Sequence, residues 1–296
     1  AQLVPAEALL RPFGGAAHAD ALLQLAILDW WGGRYAEAER RMRDAITRLA
    51  REPAHATALA GALTSYGALL NDLGRFDEAV ATAEQTQALI AQGAGIGARE
   101  RAGMLGNLGY ARHGLGQLDA AIAAHAAALA AYESVLPAVH PDIAVSLNNQ
   151  ATALQDAGRR DEALACFRRS LDIRRQFAGA DNSMTVKAQA NLAVFLAEGG
   201  GLEEAAVLMA DALAHAPKAL GPDRVALANL HSAAARVAIA RGDGAAAADA
   251  AERALAIYAS AESVDPAYPE RARVALAQAR VLLGIAGTPA ATAPDR

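Results

Sequence analysis

The side chains with which this 296-residue chain could do chemistry are few: seven histidines, at 18, 55, 113, 125, 140, 215 and 231, and one cysteine, Cys166. A helical zinc-hydrolase site needs two histidines one turn apart with a glutamate beside the first. No two histidines here are spaced i, i+4, and H-E-x-x-H is absent. One cysteine permits neither an intramolecular disulfide nor a cysteine-based zinc site. No G-x-S-x-G nucleophile elbow and no P-loop occur. Residues Gly93-Ala94-Gly95-Ile96-Gly97-Ala98 satisfy a dinucleotide fingerprint in letters alone. That fingerprint needs a strand before it and a phosphate-facing helix after it within a βαβ unit, and here the preceding residues follow a helical pattern. The segment is read as a loop between helices. The expectation is a protein that is not an enzyme, with no cofactor and no metal.

Charge and composition exclude further classes. The net charge is −5, against a broad phosphate-binding surface, because nucleic-acid affinity is dominated by lysine and arginine neutralising the backbone. Nucleic acid is therefore not an expected partner. Arg159, Arg160, Arg168, Arg169, Arg174 and Arg175 form a local exception, but Asp161, Glu162 and Asp172 lie among them. They read as a solvated helix face, with a docking patch for an acidic partner as the alternative. No run of about 18 apolar residues is free of polar interruption, so no membrane partner is expected. The sequence leaves the compartment open, with a soluble cytoplasmic protein the favoured expectation and a processed exported chain the alternative. It begins at Ala1 without a basic-then-apolar leader, which fits a processed chain or a piece of a larger one. Hydrophobic residues reach 54% with much alanine, while aromatics are only 4%, a balance suited to close-packed helices.

The elements that position these residues follow from a repeat. Glycine recurs at 33, 74, 116, 158, 200, 242 and 284, a first step of 41 residues and then steps of 42. Five residues after each of the first six stands alanine, at 38, 79, 121, 163, 205 and 247. Seven before each glycine stands Ala26, Gly67, Gly109, Ala151, Ala193, Ala235 or Ala277. Two antiparallel helices approach closely only where side chains are short, and a glycine just past a helix end turns the chain back. Thirteen after the glycine, Ile46, Leu129, Leu171, Leu213 and Leu255 read as core, with Gln87 the exception. His125 occupies the offset held elsewhere by Met42, Phe167 and Met209, and reads as core; Cys166 beside Phe167 reads as packing.

The unit that carries the pattern best is His140-Pro141-Asp142-Ile143-Ala144, Leu147-Asn148-Asn149, Gly158 and Asp161-Glu162-Ala163, echoed in LGPDRVALANL at 220–230. It resembles the tetratricopeptide repeat, in the longer form of kinesin light chains and their bacterial relatives, over about residues 18–287. The resemblance implies an all-α, right-handed α-solenoid of about six helical hairpins and a C-terminal capping helix, here 269–284. It divides the chain into an N-terminal capping segment, 1–17, the solenoid, 18–287, and a disordered tail, 288–296. The sixth hairpin looks weakened, because Gly244 replaces a bulky residue at the start of its second helix.

The resemblance also implies a concave groove lined by the first helix of each hairpin. The function it suggests is a non-enzymatic scaffold that holds a protein or peptide segment there. The alternative is a sensing module cut from a larger signalling chain, and self-association stays open. Candidate groove residues are Trp30, Asn71, Asn107, Tyr110, His113, Asn148, Asn149, Thr152, Gln155, Lys187, Asn191 and Arg236. Asparagine amides both donate and accept, so the series Asn107, Asn148, Asn149 and Asn191 could pair with an extended peptide backbone whatever its sequence. Trp30 and Trp31 point about 100° apart on one helix, so at most one is wholly buried against the second helix. Gly103 and Gly106 are explained neither by hairpin packing nor by a helix end, and each costs roughly 1 kcal/mol against alanine in a helix. They read either as a groove floor kept low for a ligand backbone or as glycines tolerated because neighbouring repeats hold the helix in any case.

Overall fold

The structure, a computed structural model, describes residues 15–261 and 264–285. Among them are thirteen α-helices and no strand. In chain order these are α1 (Ala16–Trp31), α2 (Tyr35–Leu49), α3 (Ala56–Asp72), α4 (Phe76–Ala91), α5 (Ala98–Gly114), α6 (Leu118–Glu133), α7 (Pro141–Asp156), α8 (Arg160–Ala178), α9 (Ser183–Glu198), α10 (Leu202–Leu220), α11 (Arg224–Ala240), α12 (Gly244–Ala259) and α13 (Ala267–Leu282). The expected fold class, all-α hairpin repeats, is therefore met. Residues 1–14 of the expected capping segment and the tail 288–296 lie outside the described residues. Residues 16 and 17 already belong to α1, and α13 begins two residues before Pro269.

Every repeat glycine ends a first helix in the same way. Gly33, Gly74, Gly116, Gly158, Gly200, Gly242 and Gly284 all have φ between 69° and 84°, the left-handed region that a Cβ opposes. The glycine N–H donates to the carbonyl three residues back, and the next N–H donates to the carbonyl five back. Gly33 to Trp30 (3.0 Å) with Arg34 to Asp29 (2.8 Å) is one example, and Gly158 to Gln155 (3.0 Å) with Arg159 to Leu154 (2.8 Å) another. These two bonds satisfy carbonyls that a helix end would leave orphaned, and they aim the chain into the second helix.

The chain divides into two compact units, residues 1–166 and 167–296, with the boundary inside α8. In the first unit the hairpins α1–α2, α3–α4 and α5–α6 pack in sequence, and the first helices touch one another, α1 on α3, α3 on α5 and α5 on α7. In the second unit α9–α10 and α11–α12 form hairpins, α11 packs on α9, and α13 packs on both α11 and α12. Within each unit, packing thus runs between adjacent hairpins, the rule of a repeat array.

Burial follows the repeat more strictly than hydrophobicity does. The alanines five after the glycine are all buried, and so are the residues twelve after it: Ala45, Thr86, Ala128, Ser170, Ala212 and Ala254. Offset thirteen, expected as core from its leucines, is only half-buried in most repeats, Leu171 excepted. Ala45 packs among Ala19 and Leu22 of α1 and Ala62 of α3, and Ala254 among Ala228 of α11 and Ala272 of α13, so offset twelve sits where three helices meet and a small residue suits it. Seven before the glycine, the small residue is buried in all six hairpins, but Ala277 in α13 is exposed; among the described residues no second helix packs against it. Where that residue is glycine, its neighbour has grown: a Cβ on Gly67 would stand 2.8 Å from Thr82 Oγ1, and one on Gly109 2.6 Å from the His125 ring.

Candidate functional site

The first unit presents its first helices side by side, and a cavity of about 270 Å³ opens on that face. Its walls come from α3 (Ala68, Asn71, Asp72), α5 (Gly103, Gly106, Asn107, Tyr110) and α7 (Asp142, Val145, Ser146, Asn149), with Trp30 from α1. The two glycines singled out from sequence form its floor. A Cβ on Gly106 would meet nothing within 4 Å, and one on Gly103 would lie 3.8 Å from the Tyr132 hydroxyl. Two residues of α6 also line the cavity: Tyr132, whose hydroxyl lies behind Gly103, and His125, whose ring lies against Gly109. His125 is buried and keeps its expected core position, yet it is also the back wall of this opening. Burial, and after it the charge of His113, pushes its pKa down to about 4, so the imidazole is neutral near pH 7. Burial foremost, with Asp142 next, pushes the Tyr132 phenol up.

Several predicted residues come together here, and their hydrogen bonds follow the repeat. Trp30 Nε1 donates to Asp72 Oδ2 at 2.8 Å, and His113 Nε2 lies 2.7 Å from Asp156 Oδ2. Trp30 and His113 stand three residues before their glycines, and each meets the aspartate two before a later repeat's glycine. Asn71 holds the same position as Trp30, but the third repeat offers it Gly114 instead of an aspartate; the Phe76 ring lies 2.5 Å from where a Cβ there would be. Asn71 Nδ2 donates instead to the Asn107 carbonyl at 2.9 Å, and Asn107 Nδ2 donates to the Thr64 carbonyl at 3.1 Å. Both amides therefore spend a donor inside the protein, and both turn their Oδ1 atoms away from these bonds as remaining acceptors.

The other candidates are distributed more loosely. Tyr110 is 49% exposed, its ring 6.2 Å from that of Phe76. Asn148, Asn149, Thr152 and Gln155 are half-buried on α7; the Thr152 hydroxyl already donates to the Asn148 carbonyl at 3.0 Å. Trp31 is 78% exposed and Trp30 half-buried, so neither is wholly buried and Trp30 is the one that lines the cavity. In the second unit Lys187 and Asn191 are exposed on α9, and exposed Arg236 on α11 is held by Glu198. Asp142, Ser146 and Tyr132 were not predicted as site residues. Asp142 is tied to Arg99 at 2.8 Å.

Among the described residues no three His, Cys, Asp or Glu side chains converge as a metal site, and no helix is long and apolar enough to cross a membrane. The arginines of α8 and of the residue before it are partly absorbed by ion pairs: Arg159 with Glu162 (2.7 Å), Arg168 with Glu204 (2.8 Å) and Arg175 with Asp211 (3.1 Å).

Hairpins of about 42 residues, closed by a left-handed glycine and stacked through their first helices, define a class of helical-repeat protein. Residues 100–176 match the sequence model of the tetratricopeptide repeat family, and the fold is that of solved tetratricopeptide-repeat structures, kinesin-light-chain-like ones among them. BtubC (BKLC) from P. vanneervenii has a similar structure at 19% identity, with 79% of this chain and 93% of that one covered and a TM-score of 0.65. A Podosopora anserina kinesin-light-chain protein of nearly identical TPR-like repeats is similar at 22% identity, covering 68% and 96% with a TM-score of 0.58. A Rap protein complexed with Competence and Sporulation Factor is similar at 13% identity, covering 94% and 78% with a TM-score of 0.63. No curated protein matches the sequence.

Proposed function

We propose that the chain is a non-enzymatic scaffold that holds a peptide segment of a partner protein along the first helices of its hairpins. The observation that carries this reading is the open floor at Gly106, on a face where aromatic, amide and carboxylate side chains from four consecutive repeats meet. A glycine in mid-helix with no neighbouring atom to accommodate costs stability without any return in packing, and a ligand backbone is what the space admits. One solved structure of similar fold supports the reading, since that Rap protein is complexed with Competence and Sporulation Factor.

The peptide main chain meets Asn148, Asn149 and the remaining acceptor of Asn107, while Tyr110, His113 and Gln155 select among side chains. In the second unit Asn191, Lys187 and Arg236 serve the same purpose separately. The test is selection of peptides from a random display library on the whole chain, followed by binding to Asn148→Ala/Asn149→Ala. Each lost hydrogen bond contributes about 0.5–1.5 kcal/mol, so the double variant should bind its selected peptides roughly tenfold or more weakly. Helicity should be unchanged, because alanine is the better helix former. A double variant that melts like its parent and binds with undiminished affinity overturns the groove assignment on α7.

A further inference from the structure

Three of the residues that line the cavity between α3, α5 and α7 each carry a buried polar atom with no hydrogen-bonding partner inside the protein: Asn71 Oδ1, His125 Nδ1 and Ser146 Oγ. These residues are only 7%, 2% and 5% exposed. A buried polar group without a partner is costly, and native proteins keep such groups where something else completes them. Their clustering on one cavity, from three different helices, marks a built site.

The chemistry of the occupant follows from what is already spent. The Asn71 and Asn107 nitrogens donate to main-chain carbonyls, which can only accept. That fixes both amides with their oxygens as the groups left over. Asp72 and Asp142 add carboxylates to the lining, and no lysine or arginine lines the cavity. Asp142 is balanced by Arg99, whereas Asp72 accepts from the Trp30 indole N–H, a neutral donor that leaves its charge in place. The site is rich in acceptors, negative and walled by Trp30, Tyr110 and Tyr132, whose ring faces favour a cation.

We infer that this cavity receives a cationic, N–H-rich head group, the guanidinium or ammonium of a basic side chain on the bound peptide. The inference rests on the peptide-binding reading for the source of that group; a free alkyl guanidine or amine would bring the same chemistry without a peptide. Gly103 and Gly106 give the head group its depth, the amide oxygens and Ser146 accept its protons, and Asp72 supplies the counter-charge.

The experiment titrates the whole chain, by calorimetry and by tryptophan emission, with agmatine and with two capped pentapeptides, Ac-Ala-Ala-Arg-Ala-Ala-NH2 and its norleucine counterpart. The arginine peptide should bind at least tenfold more tightly than the norleucine peptide. Gly106→Leu, which fills the floor, should abolish that preference, and Asp72→Asn, on an exposed carboxylate, should reduce it several-fold with the fold intact. Equal binding of the two pentapeptides, or a preference that survives both substitutions, overturns the inference. Agmatine binding that Gly106→Leu removes, with neither pentapeptide bound, upholds the cationic site and assigns it to a free amine, so the peptide reading fails alone. Library-selected peptides that bind without any basic residue, and are indifferent to Gly106→Leu, leave the groove reading standing and overturn the cationic site.

Discussion

Gly106 in the first unit and Gly244 in the second are both glycines inside helices where the repeat elsewhere carries larger residues, yet they do opposite things. Around Gly106 there is open space. Around Gly244 a Cβ would stand 3.0 Å from Leu282 Cβ and Leu283 Cγ and 3.1 Å from the Ala279 carbonyl. The second glycine is thus no weakness in a worn hairpin; it lets α13 lie close against α12. A missing side chain is a cavity in one place and a contact in the other, and only the neighbouring helix decides which.

Acid is expected to act most strongly, and on the first unit. His125 lies behind the open floor with its pKa lowered from 6.5 to about 4, so its neutral form belongs to the folded state. A base with a depressed folded pKa contributes stability above its unfolded value that is lost as pH falls from about 6.5 towards 4. The loss should amount to about 3 kcal/mol at the acid end. His125→Met, which restores the residue of other repeats, should remove that dependence. His231 in the second unit is lowered in the same direction, by burial and then by Arg253, and is only half-buried. Chemical denaturation at pH 7 and pH 4.5 checks this: equal losses in parent and His125→Met would break the distinction.

Next in size, Gly244→Leu and Gly109→Ala should each destabilise by about 1–3 kcal/mol through overpacking. For Gly244→Leu the effect should appear as faster hydrogen exchange in 267–282, and for Gly109→Ala as faster exchange in 98–133. Smallest, Gly106→Leu, only three residues from Gly109, should leave the fold intact and raise its stability by roughly 0.5–1 kcal/mol, because leucine is the better helix former. A Gly106→Leu variant that melts well below its parent would mean the space is occupied in the folded state, and the contrast with Gly244 would vanish.

Much of this was legible in the sequence, and the reasons for the remainder are physical. The glycine register and the small residues around it are set by backbone conformation and by the closeness of two helices, which act on every repeat alike. The core at offset twelve escaped notice because Thr86 and Ser170 do not look like core; what the position demands is small volume. Gly103 and Gly106 were conspicuous, but the walls behind them were not, since His125 and Tyr132 reach the cavity from α6 and no spacing within α5 reveals them. The asparagine series was visible as a ladder, while the engagement of Asn71 and Asn107 depends on carbonyls 36 and 43 residues distant. Gly244 was misread as degradation because its partner, α13, is the one helix that departs from the pattern.

The bonds that join one repeat to the next also bear on how the chain acquires its shape. Trp30 to Asp72, Asn107 to Thr64, Arg99 to Asp142 and His113 to Asp156 all close intervals of 42 or 43 residues, and the hairpins beneath them close shorter ones. Loop-closure entropy grows only slowly with length, and none of these steps awaits a distant terminus. Topology of this kind places assembly among the fast, locally determined routes. A nascent chain can complete each hairpin and its link to the one before while the next 42 residues are still being made, so order can spread from whichever repeat forms first.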